Sequence, residues 1–145
     1  MKYLVAIAAC LPAVVFPSAG PASAAPNPVS MEFTAGQPYR EYANSVSRFT
    51  AQVDFRTVTL AWSLEMTPST QAVIAGTMNC QTKIDGIQGY VDDHRNLPPD
   101  YLLHSSVKVQ RGKNYKLRSR CDFKALTTTG MQPGNVETAV DFVVR

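Results

Sequence analysis

Residues 107–125, VKVQRGKNYKLRSRCDFKA, carry the clearest pattern in the chain. Tyr115, Leu117, Ser119, Cys121, Phe123 and Ala125 alternate with Lys116, Arg118, Arg120, Asp122 and Lys124. Successive side chains of a strand point to opposite faces, so this period of two sets an apolar face with one cysteine against a core and a charged face toward water. Arg111-Gly112-Lys113-Asn114 reads as a tight turn, and Tyr101 to Gln110 alternates in the same way before it. The stretch is expected as two strands and a turn.

The same period recurs through the chain. Val29, Met31 and Phe33 suggest a short first strand, broken at Gly36-Gln37-Pro38. Tyr39, Tyr42, Val46 and Phe49 fall at helical spacing, so residues 38–48 are read as either a short amphipathic helix or a loop. Phe49, Ala51, Val53 and Phe55 share one face; Val58, Leu60, Trp62, Leu64 and Met66 share the next. That change of parity near Arg56 implies a bulge or bend within a strand. Thr67–Thr70 is expected as a turn, and Gln71–Ile84 as a strand presenting Ile74, Met78, Cys80, Thr82 and Ile84. The polar segment Val91–Asp100 reads as a surface loop, Thr127–Gly134 as another, and Val136–Val144 as the last strand. Six to seven strands joined by turns imply an all-β, antiparallel β-sandwich.

The N-terminus, MKYLVAIAACLPAVVFPSAGPASA, has a lysine, an apolar run and small residues ending Ala22-Ser23-Ala24. This is the pattern of a secretory signal peptide, residues 1–24, with cleavage expected after Ala24 and a secreted, extracellular product. The run around Cys10 also resembles a lipoprotein box, but too few residues precede the cysteine and the apolar run continues past it. The 145 residues less the first 24 leave 121, one domain's worth. Residues 25–48 are read as a linker and first strand, and 49–145 as the sandwich. Asn-x-Ser/Thr does not occur, so no N-glycan is implied.

Loss of Cys10 with the signal leaves Cys80 and Cys121, an even pair in an oxidising compartment. One disulfide is the simplest reading. Without a C-x-x-C spacing, a metal or redox role has little support.

Charge is uneven. Lys108, Arg111, Lys113, Lys116, Arg118, Arg120 and Lys124 fall in one segment with a single acid, Asp122, whereas the rest of the mature chain has six cations against ten acids. On a strand, Lys116, Arg118, Arg120 and Lys124 project the same way. They are the candidate anion-binding face, suited to an anionic polysaccharide, a membrane surface or an acidic protein. A solvated face that discourages edge pairing is the competing reading. Nucleic acid is not expected, because aromatics do not interleave with these cations.

Other chemistry is thinly supported. Asp92-Asp93-His94-Arg95-Asn96 with Asp100 and His104 could ligate a cation or exchange protons, but the spacing matches no metal motif. No metal or cofactor is expected. No G-x-S-x-G is present, and the chain is read as a non-enzyme. Tyr39, Tyr42, Tyr90 and Tyr101 are candidates for stacking on sugars, while Trp62 reads as core.

Two stretches resemble fibronectin type III and related immunoglobulin-like sandwiches. Val58-Thr59-Leu60-Ala61-Trp62-Ser63 is similar to their second strand, whose Trp fills the core. Val109-Gln110-Arg111-Gly112-Lys113-Asn114-Tyr115 is similar to their tyrosine corner, although Arg111 stands where a proline is usual and Trp62 precedes the first cysteine. The resemblance spans 49–145 and concerns the fold alone. It implies that Cys80 and Cys121 lie on neighbouring strands of one sheet. A secreted binding module is the expected role; a structural cell-surface component, or a small secreted hydrolase or inhibitor, is the alternative.

Overall fold

The computed structural model describes residues 26–145; the expected signal peptide and Cys10 lie outside the described residues. Nine strands and one short helix follow in order: β1 (Val29–Phe33), β2 (Tyr39–Ala43), β3 (Ser47–Asp54), β4 (Thr59–Met66), α1 (Pro68–Val73), β5 (Ile74–Asp85), β6 (Val91–Leu97), β7 (Leu103–Lys108), β8 (Asn114–Thr127) and β9 (Gly130–Val144). They form two packed sheets, one ordered β1-β9-β8-β5-β6 and the other β2-β3-β4-β7. Every pairing is antiparallel except β1 with β9, which is parallel and runs from Val29 opposite Val140 to Phe33 opposite Val144.

The core is what the alternation predicts. Phe49, Ala51 and Val53 of β3, Leu60, Trp62 and Leu64 of β4, and Tyr115, Leu117, Cys121 and Phe123 of β8 are all buried. Trp62 stacks on Phe49 with ring centroids 6.4 Å apart and donates its indole N–H to the Tyr90 hydroxyl at 3.4 Å. β9 is buried on both faces, since Ala139 and Val143 are covered as well as Val136, Val140 and Phe142. A hydroxyl row crosses the interior, with Thr82 and Ser119 hydrogen-bonded at 2.9 Å.

Several expectations are corrected. Residues 38–48 are not helical: β2 and β3 form a hairpin in which Tyr42 lies opposite Phe49. The Asn44 carboxamide accepts the N–H groups of Val46 and Ser47, both at 2.8 Å, and so closes the turn without a helix. The parity shift near Arg56 is a full reversal between β3 and β4, in which Asp54 Oδ1 accepts the Arg56 N–H at 2.9 Å. Thr67–Thr70 opens α1, with Thr67 as N-cap and Pro68 in the first turn, so β5 starts only at Ile74. The polar segment 91–100 contains an edge strand, β6, which pairs with β5. β8 and β9 continue almost to each other, which leaves Thr128 and Thr129 between them rather than a loop to Gly134. These hairpins raise the strand number from the expected six or seven to nine. Residues 29–43 supply an edge strand to each sheet.

The two strands around residue 112 do not pair with each other. β7 belongs to one sheet and β8 to the other, so Val109–Lys113 is an arch between sheets. The Tyr115 hydroxyl accepts the Gln110 backbone N–H at 2.7 Å, and Gly112 donates its N–H to the Val144 carbonyl at 2.7 Å. The Gly112 φ of 79° lies in the left-handed region that favours glycine. Gly86 closes the other side of the Tyr115 ring. A Cβ there would stand 2.8 Å from Tyr115 Cδ1, so only glycine fits.

Candidate functional site

Cys80 of β5 and Cys121 of β8 are directly opposite in the ladder and joined by a disulfide, with Cα atoms 4.0 Å apart. Both are buried at the centre of the five-stranded sheet. The bridge fixes β8 against β5, and the outward side chains of β8 therefore sit on a rigid platform.

Because Tyr115 and its alternating partners face inward, Lys116, Arg118, Arg120 and Lys124 share the outer face of that sheet, as the periodicity requires. Their neighbours come from distant sequence. Lys116 lies between Asp85 of β5 and Asp141 of β9. Arg118 lies between Lys83 and Ala139, Arg120 between Gln81 and Glu137, and Lys124 between Ala75 and Pro133.

Acidic side chains from β9 engage two of the four. Arg118 pairs with Asp141 at 2.8 Å and donates to the Leu117 carbonyl at 2.9 Å. Arg120 pairs with Asp122 at 2.9 Å and with Glu137 at 2.8 Å. The Asp122 carboxylate, accepting from Arg120, holds the guanidinium pKa above its ordinary value. Exposed pairs of this kind each contribute about 0–1 kcal/mol, so they orient the guanidinium groups more than they stabilise the fold. Lys116 and Lys124 form no ion pair among the described residues.

Of the other segment cations, Lys108 ends β7 opposite Thr59, and Arg111 and Lys113 serve the arch. Arg111 lies 5.2 Å over the Phe55 ring and donates to the Phe55 carbonyl at 3.3 Å. Lys113 donates to the Gly86 carbonyl at 2.7 Å. The sequence cluster thus divides by location into two arch cations, four on the outer face of the five-stranded sheet, and Lys108 in the other sheet.

Sequence reading missed Lys83, 33 positions before Lys116 in the chain. It lies directly opposite Arg118, a like-charge pair across two strands, and forms no ion pair among the described residues. A shallow depression of about 390 Å³ opens here, lined by Lys83, Gln81, Arg118, Arg120 and Glu137 over the covered Ala139. The only earlier signal for Lys83 was its outward parity on the Cys80 strand.

The remaining candidates disperse. His94 Nε2 approaches Asp92 Oδ1 at 2.7 Å and its ring lies 6.2 Å from Tyr101. His104 belongs to the other sheet, opposite Ser63. Among the described residues no group of three or more His, Cys, Asp or Glu side chains is placed to hold a metal. Tyr90 is tied to Trp62, Tyr42 packs on the core, and Tyr39 donates its hydroxyl to Glu41 at 2.8 Å. No stacking platform is assembled from these tyrosines.

No helix of the described residues is long and apolar enough to cross a membrane. No protein-family description, curated protein or solved structure matched the chain.

Proposed function

We propose that the protein is a secreted, non-catalytic binding module that offers the outer face of its five-stranded sheet to an anionic partner. The observation that carries this is the column Lys116, Arg118, Arg120 and Lys124, held on one rigid strand beside Lys83. Secretion is supported by the signal-like N-terminus and by the Cys80–Cys121 bridge, which suits an oxidising compartment. A fibronectin type III-like arrangement is the finer reading of the sandwich. Supporting it are the order β3-β4-β7 facing β6-β5-β8-β9 and the hydroxyl of Tyr115 bonded back to Gln110. Such a fold carries no chemistry of its own, so the function rests on the face.

The test is retention on immobilised heparin and on phosphatidylserine vesicles at low salt. Lys116→Gln combined with Lys124→Glu should sharply reduce retention, because both side chains are exposed and lie outside the ion pairs of Arg118 and Arg120, and neither change sets a new carboxylate between Asp85 and Asp141. A wild-type protein retained by neither probe at low salt refutes the reading.

A further inference from the structure

The outer face of the five-stranded sheet is not uniformly basic. Four of its cations run in a column along β8, at two-residue spacings of about 6.8 Å. Acids border the column on both sides. Asp141 and Glu137 of β9 stand along one side and Asp85 of β5 along the other, where Asp93 of β6 is paired with Arg95 at 3.5 Å.

A planar anionic surface laid on this face would press against Asp85, Asp141 and Glu137 beside the column. A single thread running along β8 meets the cations and leaves the borders in water. The column is interrupted once, at Asp122. Lys83 widens it to two cations at one point, above the depression floored by Ala139. There, Arg118 is already paired with Asp141, whereas the exposed Lys83 ammonium opposite it has no carboxylate partner among the described residues, and an anionic group lodged between the two cations supplies one. Gln81 and Glu137 line the same depression and offer an amide and a carboxylate to hydroxyl groups. No aromatic side chain projects outward from β5, β8 or β9, so bases have nothing to stack on.

We propose that the face binds a linear acidic polysaccharide lying along β8, with one sulfate or carboxylate seated between Lys83 and Arg118. This rests on the reading that the five-stranded face binds anions; it adds the class of partner and the anchoring residue.

The experiment measures binding of the full mature chain, by fluorescence anisotropy at low salt, to a labelled heparin oligosaccharide (sulfate) and to labelled oligogalacturonate (carboxylate). Neutral dextran, phosphatidylserine vesicles and a single-stranded oligodeoxynucleotide are run beside them. Expected is binding to at least one acidic oligosaccharide and none to dextran, and the preferred probe identifies the seated group. Lys83→Gln should weaken that binding by about three- to fivefold, and Lys83→Glu by about tenfold. The thermal midpoint should stay level in both variants, because Lys83 is exposed and forms no ion pair among the described residues.

Lys83 variants that bind as tightly as the wild type overturn the proposal. So does tighter binding to the oligonucleotide than to either oligosaccharide. Binding to vesicles but to neither oligosaccharide overturns it while leaving the anion-binding reading in place. Binding to no anionic probe overturns both.

Discussion

Tyr115→Phe isolates one hydrogen bond at the joint between the sheets. The phenol oxygen accepts the Gln110 N–H at 2.7 Å, and its ring, 2 % exposed, stacks on Phe142 with centroids 5.1 Å apart. Phenylalanine keeps the ring, the stacking and the contact with Gly86, so only the acceptor is lost. An ordinary intramolecular hydrogen bond contributes about 1 kcal/mol, but a donor left without a partner away from water costs about 1–3 kcal/mol. The site is partly buried, which places the expected loss near 2 kcal/mol. For a domain of this size that corresponds to a fall of about 6–10 °C in thermal midpoint. Differential scanning calorimetry and urea unfolding read it directly, and the urea slope should not change because the exposed surface on unfolding is the same. Tyr115→Ala gives the scale, since it also removes the ring and should cost about 3–5 kcal/mol. A Tyr115→Phe loss under about 0.5 kcal/mol would show that the hydroxyl does not hold the arch.

Replacing Cys80 and Cys121 together by alanine opens a loop of 41 residues and should lower unfolding free energy by about 4 kcal/mol in the chain-entropy account; two alkylatable thiols at Cys80 and Cys121 in the unreduced protein would refute the bridge itself. Acid stability should depend on the β2–β3 face and on the reversal between β3 and β4. The Arg48 guanidinium and the Tyr39 hydroxyl hold the Glu41 carboxyl below its ordinary 4.5, and the Arg56 N–H holds Asp54 below 3.8. Carboxyls lowered on folding stabilise fully above those ordinary values, and the contribution drains as pH falls through the lowered ones. Carboxyl titration by NMR checks this, and a Glu41 midpoint at or above 4.5 in the folded protein contradicts it.

Strands with one buried face were legible because burial forces a period of two. Tyr115 to Ala125 and Phe49 to Val53 were read from that alone, and Trp62 sits in the core as its apolar neighbours imply. The helical reading of 38–48 failed because Tyr42 and Phe49 meet across a hairpin, and cross-strand partners seven residues apart imitate two helical turns. β6 escaped notice because an edge strand of Asp92, Asp93, His94 and Arg95 has no clean apolar face. The site was half visible. Four cations of β8 follow from local alternation. Lys83, Asp141 and Glu137 join them only through strand register, which is set by pairings over tens of residues and leaves no local trace.

The parallel seam between β1 and β9 has a mechanical meaning. Val29 opposes Val140 and Phe33 opposes Val144, so the start of β1 and the end of β9 lie at opposite ends of one ladder. Tension applied between those two points shears the seam, loading its hydrogen bonds together instead of unzipping them one at a time. Behind it, the Cys80–Cys121 bridge withholds 41 residues, about 140 Å of extended chain, from any lengthening. A domain pulled through these strands would yield late and by a stroke shortened by that length.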